Sequence, residues 1–182
     1  MKTNLRWAYK TLVLSIFLSI GFSLISQGLF PNLSIFFSLL IIFFFIFLSV
    51  VFDMIGIAVA SIKPENIDKF SNQKGFETAK ELSRNKDKVS SFCGDVVGDI
   101  CGILSGAGGV SIVVNLNITN QNAFFLITCL TSSIIAGLTI FGKAVMKGYA
   151  VEKCEKVVLK TAFVIEKFFS ISPFKRKKKE NN

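Results

Sequence analysis

The sequence predicts an all-α membrane protein, on the evidence of its apolarity, the length of its apolar stretches and the distribution of its charge. Hydrophobic residues make up 51% of the 182 positions and the mean hydropathy is +0.57, so a soluble domain of this size could not bury them all. Four apolar stretches reach the roughly 18–20 residues that a helix needs to cross a bilayer. We therefore predict four transmembrane helices, at residues 11–30, 33–62, 92–114 and 123–142.

The charged residues predict how these helices are oriented. All 21 lysines and arginines lie in the N-terminal segment, in the polar segment 63–91 or from Lys143 onward, whereas the loops near Pro31 and at residues 115–122 carry no charge. Because cytoplasmic loops of membrane proteins carry an excess of Lys and Arg, we predict that both termini are cytoplasmic. The bias toward Lys, Asn, Ile and Phe is typical of AT-rich bacterial genomes, so we expect a multi-pass protein of a bacterial cell membrane.

The first two stretches differ in character. Residues 11–30 are longer than the apolar region of a signal peptide, and no Ala-x-Ala-like cleavage site follows, so we predict a transmembrane helix there. In the second stretch, IFFSLLIIFFFIFLSVVF at 35–52 is apolar on every face and is predicted to contact lipid. The following DMIGIAVASI at 53–62 has smaller side chains and is predicted to pack against protein.

Two amphipathic segments lie on the charged side of the predicted membrane. Segment 64–86, in which Pro64 stands where a helix can begin, is predicted to lie along the surface. In segment 143–170, apolar residues recur at helical spacing and lysines face elsewhere, which is typical of a helix in the membrane interface. We expect residues 1–170 to form one transmembrane domain. The basic tail at 171–182 is expected to bind anionic headgroups, and no nucleic acid.

The third span carries the candidate site. Asp95 and Asp99 are four residues apart and therefore share one helix face, and Asp53 is a third acid inside a span. At a helical rise of about 1.5 Å per residue, Asp53 and Asp99 lie about 15 Å from the charged boundary, near the middle of a bilayer core of about 30 Å. Four glycines recur at every fourth position and form a ridge that another helix can approach closely: Gly94, Gly98, Gly102 and Gly106.

Acids inside a membrane are costly and mark candidate functional sites. The nearest basic residue, Lys143, lies near the boundary, so no Lys or Arg is expected at their depth, and close carboxylates must either be protonated or share a cation. Carboxylates, together with hydroxyls such as Ser132 and Ser133 of the fourth span, are ligands suited to Mg²⁺, Ca²⁺ or Mn²⁺. The alternative is that the acids are protonated and hydrogen-bond between helices. The predicted metal ligands are Asp53, Asp95 and Asp99.

Enzymatic chemistry is not expected. The chain has no histidine and its four cysteines form no CxxC pair, which argues against a zinc site or a Cys–His nucleophile. The cysteines are expected to act as small buried hydrophobes. A non-transporting scaffold or accessory subunit, binding lipid or a partner through its basic face and glycine ridge, is the alternative to a cation-binding protein.

Three segments resemble the CNNM/CorC family of magnesium and cobalt transporters, in the order in which that family has them. LSVVFDMIGIA at 48–58 is similar to the family's LSxFFSGSETA, and GDVVGDI at 94–100 is similar to its GNxxxNV. TIFGKAVMKGYAVEKCEKVV at 139–158 resembles its ELxPKALAxxNPEKVA. The resemblance covers about residues 45–165.

The resemblance implies a homodimeric membrane domain that binds Mg²⁺ or Co²⁺ for export, with Na⁺ as a coupling ion. By position, Asp53 stands where the family has a ligand serine, and Asp95 and Asp99 stand where it has asparagines. Gly56 and Thr139 stand where it has glutamates. No CBS domain follows the spans in this sequence, so we expect no nucleotide sensing.

Overall fold

Helices make up almost all of the structure. The computed structural model describes residues 5–30 and 33–171, and it is 90% helical, with no strand among the described residues. The predicted all-α class is therefore confirmed. In chain order the elements are α1 Leu5–Leu29, α2 Ile35–Ser61, α3 Pro64–Ile67, a 3₁₀ turn Asp68–Phe70, α4 Phe76–Arg84, α5 Lys86–Ser91, a π-helical segment Phe92–Gly98, α6 Asp99–Asn115, α7 Gln121–Glu152 and α8 Cys154–Ile171.

Three helical stretches of the described chain are long and apolar enough to cross a bilayer. They are Ile35–Ser61, Gln121–Glu152 and Lys86–Asn115, the last combining α5, the π-helical segment and α6. The predicted first span is helical, and Tyr9–Leu24, the part of it whose side chains are described, is apolar. That a helix at 11–30 crosses the membrane stays a prediction.

Helix α2 lies at the centre of the bundle and contacts α5, the π-helical segment, α6, α7 and α8. Glycines let the helices approach each other closely. A Cβ atom added to Gly108 of α6 would lie 2.6 Å from Cζ of Phe30, and one added to Gly142 of α7 would lie 2.7 Å from Cγ2 of Val50. Helix α1 packs mainly against α6.

The two halves of α2 differ as predicted, except that one face of the first half, with Ser38, Ile42 and Ile46, is buried against protein. The first half exposes phenylalanines such as Phe43 and Phe47, which would face lipid. In the second half, Gly56, Ala58 and Val59 are buried. A Cβ atom on Gly56 would lie 2.9 Å from the backbone oxygen of Ser90, so this half of α2 packs directly on the backbone of α5.

The segments on the charged side form their own apolar core. Residues from the end of α2, from α3 and α4, from the end of α7 and from α8 are buried together there. Gly75, which precedes α4, has a φ of +92°, and a Cβ atom on it would lie 3.0 Å from the backbone nitrogen of Phe163. A glycine is required there both by the backbone conformation and by the close approach of α4 to α8. The core includes Ala58, Val59, Ile62, Ile67, Ala79, Ala150, Val157, Val158 and Ala162.

The prediction of one continuous amphipathic helix at 143–170 is wrong. Helix α7 runs on without interruption to Glu152, the chain turns at Lys153, and α8 begins at Cys154. The apolar face of α8 packs against α2 and α4, so the amphipathic pattern reflects burial in a protein core and not only contact with lipid. The basic tail lies outside the described residues, apart from Ile171.

Candidate cation site

The candidate site is built around the π-helical segment Phe92–Gly98 in the third predicted span. Such segments are rare and are frequently found at functional sites, because they interrupt the regular pattern of backbone hydrogen bonds. Asp95 lies within it and Asp99 follows it directly. The π-helical segment was not predicted from the sequence. The only related signal is the pair Gly94 and Gly98, which weakens the preference for a regular α-helix.

Helix α2 covers this segment with two polar side chains. The buried hydroxyl of Ser49 donates a hydrogen bond of 2.5 Å to the backbone oxygen of Gly98. Asp53 is one helical turn further along α2, and its Oδ1 atom would lie 3.6 Å from a Cβ atom on Gly94. Gly94 and Gly98 therefore lie on the face of the segment that contacts Ser49 and Asp53. Ser49 is a site residue that the sequence analysis missed.

The other two acids point away from the interior of the chain. Asp95 is exposed and accepts a hydrogen bond of 2.6 Å from Oγ of Ser91, one turn earlier on the same helix. The side chain of Asp99 is 64% exposed, and its Oδ1 atom lies 3.3 Å from Nζ of Lys143, whose side chain is 24% exposed. "Exposed" here means not covered by this chain, because no lipid or second copy is present.

The ion pair corrects one expectation. We expected no basic residue to reach the acids, but Lys143 neutralises Asp99. Two features explain the difference. Helix α7 continues past residue 142, which fixes Lys143 beside the third span, and the long aliphatic stem of a lysine carries its ammonium well away from its own backbone.

The structure does not gather the three predicted ligands into one cluster. In residues 5–30 and 33–171, no group of three or more His, Cys, Asp or Glu side chains is placed to hold a metal ion. Asp53 lies against Gly94, Asp95 bonds to Ser91, and Asp99 pairs with Lys143. Of the three acids, Asp99 is the one that has a basic partner among the described residues. A shared cation stays a prediction.

The fourth predicted span, which lies in α7, contributes fewer polar groups to the candidate site than expected. Ser132 is half-buried and Ser133 is exposed, and neither makes a hydrogen bond to the acids in the described part of the chain. Thr139 is buried and donates to the backbone oxygen of Ile135 at 2.8 Å, within its own helix. The α7 side chain that contacts one of the three acids is Lys143, which donates a hydrogen bond to Asp99.

The glycine ridge is only partly used for packing. Gly94 and Gly98 face α2, but a Cβ atom on Gly102 or Gly106 would meet no other atom within 4 Å. Further along α6, Gly108 and Gly109, which lie outside this ridge, are the glycines that approach neighbouring elements closely. The surface that continues from Asp99 past Gly102 and Gly106 is therefore open in the single chain.

Comparisons with known proteins identify the family of the chain. Neither the curated proteins nor the solved structures contain a match to the chain. The Cyclin M transmembrane N-terminal domain, called CNNM, matches residues 40–173, from the first half of α2 to just beyond α8. This match includes the π-helical segment, Asp53, Asp95, Asp99 and Lys143. Because it covers well over half of the sequence, the chain belongs to the CNNM transmembrane domain family.

Proposed function

We propose that this membrane protein binds and moves a divalent cation of the Mg²⁺ or Co²⁺ type through its intramembrane carboxylates. One observation carries the proposal: Asp95 and Asp99 flank the end of a π-helical segment inside a span of a CNNM domain. Carboxylate, hydroxyl and backbone oxygens are the ligands that hard divalent cations prefer. The ion is the substrate of the protein, and its passage requires no covalent chemistry.

The neighbouring helix offers a second set of oxygen atoms. Ser49 and Asp53 are one turn apart on α2 and lie against the same π-helical segment. We infer that α2 moves relative to this segment so that Asp53 approaches Asp95 or Asp99. Alternating access in transporters uses movements of this kind between packed helices. In our proposal the three acids meet in the ion-bound state, while Asp99 is paired with Lys143 in the ion-free state.

Two features support the proposed orientation. Segment 64–86 and α8 are buried together in one core, so their lysines lie on the same side of the bundle. The loop between α6 and α7 carries no charge. By the positive-inside rule, both termini are then cytoplasmic in a bacterial cell membrane. The open surface around Gly102 and Gly106 would accommodate a second copy in a homodimer.

Ion flux in proteoliposomes tests the proposal. The full chain would be reconstituted with a Mg²⁺-sensitive dye inside, beside single variants of the three acids to asparagine: Asp53→Asn, Asp95→Asn and Asp99→Asn. Asp87→Asn is the matched control, because Asp87 is an acid of α5 that lies outside the site. We expect Mg²⁺ flux in the wild type and in the control, and loss of flux in Asp99→Asn.

Two results would contradict the proposal. Wild-type protein with neither flux nor a Mg²⁺- or Co²⁺-dependent thermal shift would favour a non-transporting scaffold. Flux that survives the loss of all three acids would place the ion pathway elsewhere in the chain.

A further inference from the structure

A groove on the charged side of the bundle adjoins the candidate cation site, but Asp53, Asp95 and Asp99 do not line it. It has a volume of about 650 Å³ and is bordered by α2, the start of the third span, the end of α7 and α8. This volume is within the roughly 300–1,000 Å³ of typical small-molecule sites. Its walls are almost entirely apolar and include Phe52, Ile55, Phe92 and Val164.

The rim of the groove is basic. Lys156 and Lys160 line it, and they are four residues apart on α8, so they stand on one face of that helix. Within the described residues, neither ammonium has an acidic partner or a hydrogen bond. Like charges at this spacing repel each other, and an anion placed between them would relieve that repulsion. Tyr149, an aromatic residue with a polar tip of the kind enriched at membrane interfaces, also lines the groove.

Helix α8 separates its charges between two sides. Its acids Glu155 and Glu166 form hydrogen bonds on the side that faces α3 and α4. Glu155 accepts one from Asn66, and Glu166 accepts one from Thr78. No acidic residue lines the groove. The groove is therefore an apolar slot that opens into the inner half of the predicted membrane and ends at two free positive charges.

We propose that this groove binds one anionic phospholipid of the surrounding membrane, with an acyl chain against Phe52 and Val164 and the phosphate between Lys156 and Lys160. Charge and polarity both favour this occupant. The apolar acyl chain of a phospholipid matches the apolar walls of the groove, and its anionic headgroup matches the basic rim. The chain's own basic tail, with five consecutive basic residues at 175–179, would be repelled by the same rim.

Photocrosslinking of lipid tests the proposal without any measurement of transport. The full chain would be placed in phosphatidylcholine nanodiscs that contain phosphatidylglycerol with a photoreactive acyl chain, and crosslinked peptides would be identified by mass spectrometry. We expect crosslinks at Phe52, Phe92 and Val164. The same photoreactive group on phosphatidylcholine should label these residues much less, since it carries no net negative charge.

Two variants distinguish the contribution of the lipid headgroup from that of the acyl chain. Lys156→Gln with Lys160→Gln should raise the phosphatidylglycerol concentration needed to label the groove by about 30-fold, since each lysine near a headgroup contributes about fivefold and the two factors multiply. The matched control is Lys63→Gln with Lys86→Gln, which removes the same charge from exposed positions on the same side but outside the groove. Val164→Trp narrows the groove while keeping both lysines, and it should reduce labelling as well.

Several outcomes would overturn the proposal. Equal labelling of the groove by the two lipids would remove the role of the rim lysines, as would equal labelling of the lysine variant and its control. Labelling spread evenly over the exposed phenylalanines of α2, such as Phe43, would mean ordinary contact with bulk lipid. Crosslinks from the groove to a second copy of the chain would make it a protein interface.

Discussion

Replacing Lys143 by glutamine removes the ammonium group that lies 3.3 Å from Oδ1 of Asp99. In the proposed cycle this ammonium occupies the place of the cation in the ion-free state. A divalent cation that binds Asp99 must therefore displace Lys143 first. Lys143→Gln should make Mg²⁺ bind more tightly, although the substitution removes a side chain of the site.

The geometry sets the size of the effect. At 3.3 Å and an effective dielectric constant of about 20, the attraction between the two charges is about 5 kcal/mol. The net value is smaller because the side chain of Asp99 is 64% exposed and solvent screens the pair. Exposed ion pairs contribute about 0.2–1 kcal/mol. Removing a competitor of that strength should lower the apparent Kd for Mg²⁺ by about 1.5- to 5-fold.

Isothermal titration of Mg²⁺ into the purified full chain measures this Kd. Lys147→Gln is the matched control, because Lys147 is an exposed lysine one turn further along α7 and has no ion pair in the described structure. Asp99→Asn combined with Lys143→Gln should lose the gain, since the coordinating carboxylate is absent. An unchanged or weaker affinity in Lys143→Gln would refute the idea that lysine and cation compete for Asp99.

Two further predictions concern the packing of the site, and thermal unfolding in detergent measures both. Gly56→Ala should destabilise the protein by about 1–3 kcal/mol, because the added Cβ atom would lie 2.9 Å from a backbone oxygen of α5. Its control, Gly106→Ala, has no other atom within 4 Å of the added Cβ atom and should change stability by less than about 0.5 kcal/mol. Equal losses of stability in the two variants would contradict the close packing at Gly56. Ser49→Ala removes the donor to the Gly98 oxygen and should cost about 1 kcal/mol. Ser133→Ala, at an exposed position, is its control, and a similar loss there would argue against a specific role for Ser49.

Three of the four predicted spans correspond to helices that are long and apolar enough to cross a bilayer, and they were predictable because length and apolarity are properties of the sequence alone. The inner half of α2 could also be recognised, since its small residues such as Gly56 and Ala58 differ from the phenylalanines before them. The Asp99–Lys143 pair joins residues 44 positions apart, and only the packing of α7 against the third span brings them together. Likewise, the spacing of the glycines could not indicate that Gly106 would face open space.

The position of the acids follows from the packing of α2. The resemblance to CNNM/CorC proteins implies a glutamate where this chain has Gly56, yet no side chain fits there, because a Cβ atom would lie 2.9 Å from the backbone of Ser90. A carboxylate on this face of α2 must therefore come from another turn, and Asp53, three residues earlier, lies against Gly94, where no side chain obstructs it. The close packing of α2 on α5 thus excludes a carboxylate at position 56, and Asp53 supplies one on this face instead. Gly56→Glu would therefore disrupt the site and would not restore the family pattern.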